Sequence, residues 1–517
     1  MTETVLTLLE NSARRMPEKT AFVDENGAVC YADFARACRS IGSGLLSLEA
    51  AGRPIAVYLD KGVSCLEAML GVVYSGSFYT VLDTHMPPAR IRSIFQTLAP
   101  AAVVTDFAHA QAAQEFLSGA RLVLVEELAR SACEETALAQ ARGRMVDTDP
   151  LYVLFTSGST GVPKGTVVCH RSVMDYARWV EQAFHITQDT IFASQTPFYF
   201  SMSVLDIFVT LQCGATLCIP PKSYFSFPVR LLEYLEEHQV NTIYWVPSAL
   251  GLIARLKALD YQRPSGLHTI LFAGEVMPVK WLNVWRAHYP QALFANLYGP
   301  TETTDICAYY IVDRPFREDE PLPIGRACDH CTLLVLDENG QPVGPGKRGE
   351  LCVRGSFLAL GYYGMPEKTA ECFVQNPLNC SYPELIYRTG DLVYTNERGE
   401  LMYAGRRDYQ IKHMGYRIEL GEIEAAFSAC AGVDACACLY DAGRDQLILV
   451  YQGASDRETL LSAAKSRLPA YMLPGLVLQT RQMPYNANGK LDRRWLGAHY
   501  RELEGAHARR KTKERSE

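Results

Sequence analysis

Short apolar runs alternate with amphipathic segments through roughly the first 300 residues of the chain. Between the runs, segments such as 230–238 place apolar residues at helical spacing. The strand-like runs lie at 55–59, 102–105, 122–125, 216–219, 242–246 and 269–272. Strand–helix alternation favours parallel sheets covered by helices on both faces, so the pattern predicts an α/β fold.

The pattern changes at about residue 330 to short strands and turns. Strand-like runs at 333–336 and 349–354 flank a turn, which indicates a hairpin-rich β unit. After a junction at 405–408, an amphipathic helix at 418–427 and a strand at 446–451 fit a small α+β domain of roughly 90 residues. The chain is therefore expected to change architecture towards its C-terminus.

We predict three parts from these patterns. A large N-terminal core spans 1–405 and includes the β-rich subdomain at about 330–405. A small mobile α+β domain spans 406–497, and a flexible basic tail spans 498–517. The basic residues of this tail are interpreted as a solvated terminus.

Composition is that of a globular protein and excludes some classes of function. The 517 residues are 48% hydrophobic and 21% charged, which suits roughly three or four domain-sized units. The net charge of −7 argues against a basic surface for nucleic acid. Because the sequence has neither a signal-peptide pattern nor a long apolar run, we expect a cytoplasmic protein without a membrane span.

The 16 cysteines are dispersed along the sequence, which is typical of a cytosolic protein with free thiols. Cys328 and Cys331 form a Cys-x-x-Cys pair with His330 between them. No second pair stands at zinc-ribbon spacing in the sequence, so a metal or redox role for this pair is disfavoured.

The most informative stretch runs from Thr156 to Gly165 and reads Thr-Ser-Gly-Ser-Thr-Gly-Val-Pro-Lys-Gly. Glycine lets the backbone approach phosphate oxygens, hydroxyl and amide groups donate to them, and lysine supplies positive charge. The common phosphate loop has Ser or Thr after its lysine, whereas Gly165 follows Lys164 here. The stretch therefore predicts a nucleotide-binding loop of a different fold, with a flexible surface loop as the alternative.

Further motifs follow downstream in a fixed order. They are Asn-Leu-Tyr-Gly-Pro-Thr-Glu-Thr at 296–303, Tyr-Arg-Thr-Gly-Asp-Leu at 387–392, Gly-Arg-Arg-Asp at the start of 405–424, Leu-Pro-Ala-Tyr-Met-Leu-Pro at 468–474 and Asn-Gly-Lys-Leu-Asp-Arg at 488–493. Together they resemble the adenylate-forming superfamily, which includes nonribosomal-peptide adenylation domains, D-alanine–carrier-protein ligases, acyl-CoA synthetases and luciferases. The resemblance extends from about residue 10 to about residue 495.

The resemblance implies a two-step ligase reaction that uses ATP and Mg²⁺. A carboxylate attacks the α-phosphate of ATP and gives an acyl-adenylate and pyrophosphate, and a thiol then displaces AMP. Thr301 and Glu302 are expected at the α-phosphate, with Glu302 also as metal ligand because a hard cation prefers carboxylate oxygen. The residues expected to hold the β- and γ-phosphates are Thr156, Ser157, Gly158, Ser159, Thr160, Gly161 and Lys164.

The same resemblance implies which residues bind the nucleoside. Tyr298 is expected to stack on adenine, Asn296 to hydrogen-bond the edge of the base, and Asp391 to accept both ribose hydroxyls. The rest of the expected nucleotide-binding set is Gly274, Glu275, Gly299 and Arg406. Taken alone, Tyr298 fits a core residue better, and Asp391 fits a helix or turn cap equally well.

The resemblance also implies a moving C-terminal domain. Its hinge is expected at Asp408, and Lys490 is expected to bridge the carboxylate and the α-phosphate in the transition state. In a second pose, the loop from Lys412 to Gly415 reaches the site, so Lys412 joins Glu302 and Lys490 as expected catalytic residues. Taken alone, Lys490 fits a solvated turn and Asp408 a simple surface turn.

One departure from the family pattern concerns substrate recognition. Amino-acid-activating relatives have a Phe-Asp-x-Ser-Val segment whose aspartate binds the substrate ammonium, whereas this chain has Ser201 at that position. A hydroxyl pairs with ammonium far less strongly than a carboxylate does. Asp305 is expected to supply the missing charge from another wall, and a solvated loop carboxylate is the alternative. The expected lining is Phe200, Ser201, Met202, Leu205, Tyr244, Leu271, Ala273, Leu297, Asp305 and Ile306.

The lining is mostly bulky, which leaves a small cavity. The expected substrate is therefore a small amino acid of glycine, alanine or β-alanine size, followed by a small carboxylic acid without an amine. The motifs at 405–424 and 488–493 resemble the carrier-protein branch, and no Gly-x-Ser-Leu attachment site follows. The expected thiol donor is thus the phosphopantetheine of a separate carrier protein.

Two other functions compete with a carrier-protein ligase. The first is an acyl-CoA ligase for a small or aromatic acid, which the choice of thiol acceptor distinguishes. The second is a catalytically idle binding protein, which the presence of Glu302 and Lys490 disfavours.

Overall fold

The computed structural model describes residues 3–158, 162–407, 410–484 and 491–514. By its internal contacts the chain divides into two compact units. Unit 1 comprises Met1–Thr84, Thr97–Phe155 and Gly165–Arg407. Unit 2 comprises His85–Gln96, Thr156–Lys164 and Asp408–Glu517, and so takes two short segments from the N-terminal half of the sequence.

The strands are numbered in chain order. The first thirteen are β1 Thr20–Asp24, β2 Gly27–Cys30, β3 Pro54–Tyr58, β4 Phe78–Val81, β5 Ala102–Thr105, β6 Arg121–Leu124, β7 Pro150–Thr156, β8 Lys164–Cys169, β9 Ile191–Ser194, β10 Thr216–Cys218, β11 Thr242–Trp245, β12 Thr269–Phe272 and β13 Leu293–Tyr298. The others are β14 Ala308–Ile311, β15 Arg326–Ala327, β16 Cys331–Leu336, β17 Gly349–Gly355, β18 Gly361–Tyr362, β19 Phe373–Gln375, β20 Leu385–Thr395, β21 Leu401–Arg406, β22 Gln410–His413, β23 Tyr416–Glu419, β24 Val433–Asp441, β25 Gln446–Gly453 and β26 Leu476–Thr480.

The helices alternate with these strands. The first eight are α1 Val5–Arg15, α2 Tyr31–Leu46, α3 Val63–Tyr74, α4 Pro88–Leu98, α5 Ala110–Ala113, α6 Val125–Leu128, α7 Glu135–Gly143 and α8 His170–Phe184. The others are α9 Ser203–Cys213, α10 Pro228–Glu237, α11 Pro247–Arg255, α12 Val279–His288, α13 Pro366–Cys372, α14 Leu420–Ser428, α15 Arg457–Lys465 and α16 Arg493–Glu514. Short 3-10 turns lie at Lys222–Ser226, Ala258–Asp260, Thr301–Thr303 and Ala470–Met472.

Parallel sheets form the bulk of unit 1. One sheet has the order β15-β14-β13-β12-β11-β9-β10-β1-β2, and its strands from β13 to β1 pair in parallel. Another has the order β18-β8-β7-β4-β3-β5-β6, and its five strands from β7 to β6 in that order pair in parallel with their neighbours. Strands β3, β5, β11 and β12 are buried throughout, as expected where helices cover both faces of a sheet. The predicted α/β architecture is therefore confirmed.

The β-rich part of unit 1 follows the parallel sheets. Strands β16, β17, β20 and β19 form an antiparallel sheet in that order, and β21 pairs with β20. Leu351, Val353 and Val393 are fully buried in this sheet. Buried and partly exposed residues alternate along β20 from Tyr387 to Tyr394, whereas Gly349 to Val353 of β17 are all buried. The alternation along β20 is typical of an antiparallel strand with one face on the core.

Unit 2 is a small α+β structure. Strands β22 and β23 form a hairpin, and β24, β25 and β26 form a separate sheet in which β25 and β26 run parallel. Helices α14 and α15 pack on it through Ile423, Phe427 and Leu460, all of which are fully buried.

The C-terminal segment differs from the sequence expectation of a flexible tail from residue 498. Helix α16 runs from Arg493 to Glu514, and its first turns pack on the sheet of unit 2 through Leu496 and Tyr500. Arg, Glu, Ala and Lys dominate its sequence, and these residues have high helix propensity. The basic composition of this segment therefore did not prevent helix formation.

In the part of the chain that the structure describes, no helix is long and apolar enough to cross a membrane. The cysteines, Cys328 and Cys331 included, are free thiols.

Candidate functional site

The predicted site residues of unit 1 lie at the carboxyl ends of parallel strands. β11 ends at Trp245, β12 at Phe272 and β13 at Tyr298. Ala273, Gly274 and Glu275 follow β12 directly, and Gly299 to Glu302 follow β13. Open α/β sheets bind ligands in the crevice at this edge, so the fold positions these segments as a ligand site.

Two glycines let the backbone turn closely at this edge. A Cβ at Gly299 would stand 2.1 Å from the carbonyl oxygen of Asp305 and 2.5 Å from the Cα of Ile306. Gly274 has a φ of 92°, in the left-handed region that favours glycine. Both positions therefore need glycine for a structural reason, independently of any contact with a nucleotide.

Glu302 is fully buried and held by hydrogen bonds. The Tyr362 hydroxyl donates to its Oε1 at 2.6 Å, and the Ala359 N–H donates to its backbone carbonyl at 2.9 Å. Among the described residues, no group of three or more His, Cys, Asp or Glu side chains could hold a metal ion. A single fixed carboxylate still suits Mg²⁺, because this cation is usually held by one or two carboxylates together with waters and substrate phosphates.

Asp391 is anchored through both carboxylate oxygens. Arg406 Nη1 donates to Oδ1 at 2.7 Å, and the Tyr298 hydroxyl donates to Oδ2. Burial, followed by the Asp391 charge, raises the pKa of Tyr298 well above that of an ordinary phenol, so this hydroxyl keeps its proton. The structure thus joins three of the residues predicted to bind the nucleoside, and a ribose would share oxygens that already accept hydrogen bonds.

Two further residues predicted to bind the nucleotide are fixed by backbone contacts. Asn296 Nδ2 donates to the carbonyl of Pro323 at 2.8 Å, and Glu275 Oε2 accepts from the N–H of Ser248 at 2.8 Å. These bonds orient both side chains without a ligand.

The apolar residues predicted to line the acyl pocket belong to one hydrophobic cluster of unit 1. They are Met202, Leu205, Tyr244, Leu271, Ala273, Leu297 and Ile306. Phe200 and Ser201 are half-buried and precede this set on the turn before α9. Ser201 Oγ lies 3.3 Å from Thr301 Oγ1, so its hydroxyl is within hydrogen-bond distance of a residue predicted to bind the α-phosphate.

Asp305 is 2% exposed, so it is not the solvated loop carboxylate that the sequence left as an alternative. Tyr176 and Tyr244 both donate to its Oδ2, at 2.7 Å and 3.0 Å. Burial, followed by the Asp305 charge, raises the pKa of both tyrosines well above the usual range, so both are neutral donors. The carboxylate is thereby held in a defined orientation beside the apolar lining.

A second pair of opposite charges lies in the same region of unit 1, where Asp206 is fully buried and Lys61 is half-buried. Burial raises the pKa of Asp206 and lowers that of Lys61, and each charge partly offsets the effect on the other. Lys61 Nζ donates to the carbonyl of Ser194, at the carboxyl end of β9, at 2.8 Å. Asp206 lies on α9, one residue after Leu205 of the lining, and contributes to the raised pKa of Tyr244.

The glycine- and hydroxyl-rich loop belongs to unit 2. Thr156 Oγ1 is buried and, within the described ranges, has no hydrogen-bond partner, so it is available to a phosphate oxygen. The Ser157 hydroxyl instead donates to the carbonyl of Arg417 at 2.6 Å and accepts from the N–H of Glu419 at 3.1 Å. To bind a phosphate, Ser157 must therefore release or share these bonds.

The remaining expected residues of this loop divide into two groups. Gly158 and Lys164 are described, and Lys164 is 8% exposed at the start of β8. The others, Ser159, Thr160 and Gly161, lie outside the described residues, as do the predicted hinge Asp408 and the predicted catalytic Lys490.

Lys412 lies on β22 and is exposed. It pairs in register with Arg417 on β23, across a turn in which Met414 and Gly415 have φ values of 52° and 80°. The Lys412 to Gly415 loop is thus the tip of a hairpin.

Sequence reasoning missed the residues that support the two buried carboxylates from behind. Tyr362 holds Glu302, and Tyr176 holds Asp305. Tyr176 lies on α8 among other buried aromatic residues, where an apolar helix face gives no sign that one hydroxyl bonds a distant loop. Lys61 and Asp206 were also missed, although a lysine at the end of a strand-like run in an otherwise buried region was a usable signal.

Comparison with known proteins gives a consistent result. Residues 9–363 match the model of a family described as AMP-binding enzyme. The L-proline--[L-prolyl-carrier protein] ligase of Streptomyces coelicolor is 32% identical over 527 residues, which cover 96% of this chain and 96% of that protein. The protein of the same description from Pseudomonas fluorescens is also 32% identical, over 93% of this chain and 96% of its own length.

Solved structures show the same fold. IdnL1 is 27% identical with a TM-score of 0.79, over 94% of this chain and 99% of that chain. Holo-PA1221, described as an NRPS protein containing adenylation and PCP domains, has a TM-score of 0.81 at 24% identity, over 96% of this chain and 84% of that chain. At that identity the second likeness concerns the fold alone.

Proposed function

Because the chain belongs to the AMP-binding enzyme family, we propose that it activates a small amino acid with ATP and loads it onto a carrier protein. The first step joins the substrate carboxylate to the α-phosphate and releases pyrophosphate. In the second step, the phosphopantetheine thiol of a separate carrier protein attacks the acyl carbon, and AMP leaves. The thiol gives up its proton, and a thioester replaces the mixed anhydride.

The residues at the carboxyl edge of unit 1 suit the first step. Glu302, fixed by Tyr362, and Thr301 would face the α-phosphate, and Asp391 with Arg406 would hold the ribose. Mg²⁺, when bound beside Glu302, would neutralise phosphate charge. Transfer of an adenylyl group depends mainly on positioning and on charge stabilisation, so preorganised side chains contribute most of the effect.

Three residue sets supplement this edge in the proposal. Thr156, Ser157 and Lys164 would bind the β- and γ-phosphates, together with Ser159 and Thr160. Lys490 would neutralise charge during adenylation, and Lys412 would serve the second step. A change of backbone angle at Asp408 would exchange these two lysines. The buried, unpartnered hydroxyl of Thr156 supports the phosphate role.

The observation that carries the substrate assignment is the buried Asp305 carboxylate. It lies beside apolar lining residues, and a carboxylate forms a strong charge-assisted hydrogen bond with a cationic partner. The ammonium of a substrate amino acid is such a partner. Ser201, where amino-acid-activating relatives have aspartate, lies beside Thr301, so the amine is expected farther from the reacting carboxylate than in an α-amino acid bound in the ordinary way.

This arrangement favours a β-alanine-like substrate over glycine or alanine. The full burial of Tyr244 and Leu271 limits the length of the substrate side chain. The two proline-ligase relatives share about a third of their residues with this chain, so proline is the first competitor to test. The carrier-protein acceptor is proposed from the names of these relatives, and a cytoplasmic location from the dispersed free thiols.

ATP–pyrophosphate exchange with β-alanine, glycine, both alanine enantiomers, L-proline and propionate tests this proposal. Exchange should be fastest with β-alanine and at least about tenfold slower with propionate, which has a similar size and no amine. Faster exchange with propionate would remove the amine from recognition, and a preference for proline would replace β-alanine as the assigned substrate.

The acceptor is tested separately, with the preferred acid. Mass spectrometry should detect the acyl thioester on a phosphopantetheinylated carrier protein and not on free coenzyme A. The reverse result would identify an acyl-CoA ligase.

A further inference from the structure

The backbone immediately before Asp305 has an unusual conformation. Thr304 has φ 67° and ψ −59°, and the N–H of Asp305 donates to the carbonyl of Thr303 at 2.8 Å. These values describe the rarer, strained form of the γ-turn. A β-branched residue at positive φ is an outlier, and such strain persists only where the surroundings hold it.

Phe357 and Tyr176 supply those surroundings. Thr304 Oγ1 donates to the backbone carbonyl of Phe357 at 2.8 Å, and both residues are fully buried. The Phe357 ring packs edge-on against the Tyr176 ring, with centroids 5.5 Å apart and planes at 83°. Edge-to-face packing of this kind is favourable and fixes the relative orientation of the rings.

Tyr176 then closes the connection, because its hydroxyl donates to Asp305 Oδ2 at 2.7 Å. The connection therefore runs from Tyr176 to Asp305, along the backbone to Thr304, through a hydrogen bond to Phe357, and back to Tyr176. Helix α8, the γ-turn and the segment after β17 each contribute one part. A backbone turn and a side-chain carboxylate are thereby held by the same aromatic pair.

We propose that Tyr176, braced by Phe357 and Thr304, is a positioning residue that sets the Asp305 carboxylate for the amine of the substrate. This inference rests on the proposed role of Asp305 in binding that amine. Tyr176 acts through Asp305 and does not contact the substrate. Its hydroxyl and that of Tyr244 converge on one oxygen from α8 and β11, which fixes the plane of the carboxylate.

Tyr176→Phe tests this role because it removes one hydroxyl and keeps the ring that packs on Phe357. The KM for β-alanine in ATP–pyrophosphate exchange should rise roughly tenfold, since one hydrogen bond to a charged group is lost, while kcat changes little. The kinetic constants for propionate should stay within about twofold of the wild type, because this acid has no amine.

Two more variants separate positioning from folding. Thr304→Val keeps the β-branched shape but removes the hydrogen bond to Phe357, so it should raise the KM for β-alanine selectively as well. Tyr152→Phe is the matched control, because Tyr152 is fully buried in the same cluster and its hydroxyl has no partner among the residues that the structure describes. Tyr152→Phe should leave the kinetic constants for β-alanine and for propionate unchanged.

The outcomes distinguish this inference from the function on which it rests. If the wild type does not prefer β-alanine to propionate, the role of Asp305 fails and the inference fails with it. If the wild type prefers β-alanine, and Tyr176→Phe leaves the KM for both acids unchanged or raises both equally, only the positioning role is overturned. Melting temperatures of all variants identify any that lose activity through unfolding.

Discussion

Asp391 and Asp305 are both buried carboxylates of unit 1, and different kinds of side chain donate hydrogen bonds to them. Asp391 is bonded by the guanidinium of Arg406 and by Tyr298, whereas Asp305 is bonded by the neutral hydroxyls of Tyr176 and Tyr244. A carboxylate paired with arginine is already compensated and acts on a ligand mainly as a hydrogen-bond acceptor. A phenol orients a carboxylate through a neutral hydrogen bond and brings no charge of its own.

This difference in bonding partners fits the two ligand groups proposed for these carboxylates, a ribose and an ammonium. Ribose hydroxyls are neutral and need a fixed acceptor, while an ammonium needs a negative charge. The pair Lys61 and Asp206 adds opposite charges in the same region of unit 1 and contributes no net charge when both are ionised.

The largest effect is expected where a carboxylate serves every substrate. Glu302→Gln keeps the shape and the Tyr362 contact but removes the charge that we propose acts on the α-phosphate. The rate of ATP–pyrophosphate exchange should fall by roughly 10²- to 10³-fold with β-alanine and with propionate alike, as when one preorganised electrostatic group is lost. A loss confined to one acid would assign Glu302 to substrate selection. Tyr362→Phe, which keeps the Glu302 carboxylate, should lose far less exchange activity.

Asp305→Asn tests the other side of the comparison. The amide keeps the size of the side chain and removes its charge, so kcat/KM for β-alanine should fall by roughly 10- to 100-fold, the cost of a charge-assisted hydrogen bond. Exchange with propionate should stay near the wild-type rate. Equal losses for the two acids, measured in one preparation, would mean that Asp305 supports the fold of the pocket and does not bind an amine.

Ser201→Asp introduces a carboxylate at the position where the resemblance to amino-acid-activating enzymes predicts the ammonium-binding aspartate. We expect kcat/KM for L-alanine relative to β-alanine to rise by about tenfold, because a carboxylate bonds ammonium much more strongly than a hydroxyl does. Ser201→Asn, which has the same shape without charge, is the control and should not change this ratio. An unchanged ratio in both variants would show that Ser201 does not face the α-amine.

The sequence predicted the architecture because burial on both faces of a parallel sheet leaves continuous apolar runs, as in β3, β11 and β12. The resemblance to adenylate-forming enzymes is confirmed by the family match over residues 9–363. Glycines at positions 274 and 299 were recognisable from motifs, and the structure adds the reason, a left-handed φ at one and a close backbone approach at the other.

The sequence could not reveal the side chains that support the site from other elements. Tyr176 and Tyr362 are separated from their carboxylate partners by 129 and 60 positions. Nothing local distinguishes them from core aromatics, because a buried tyrosine packs its ring in the same way wherever its hydroxyl points. The strained turn at Thr304 is likewise set by Phe357, a tertiary contact, and not by local propensity.

The smallest effect on chemistry is expected from a buried group outside both carboxylate sites. Burial lowers the pKa of His170 from 6.5 to about 4, and neither ring nitrogen has a hydrogen-bond partner in the described ranges. Below pH 6.5 this histidine is protonated in the unfolded chain, whereas in the folded protein it stays neutral until about pH 4. The free energy of unfolding therefore falls as the pH decreases through this window. At about pH 5 the loss should approach roughly 2 kcal/mol relative to neutral pH.

Melting temperature measured against pH checks this prediction. The wild type should lose stability between about pH 7 and pH 5, and His170→Gln should show a smaller loss over the same window because glutamine does not titrate. His268→Gln serves as the control, since His268 is exposed and its ring bonds Thr269 Oγ1 at 3.0 Å. If His170→Gln keeps the full pH dependence, protonation of carboxylates causes the loss. The pH profiles of Asp305→Asn and Glu302→Gln would then show which of the two carboxylates contributes.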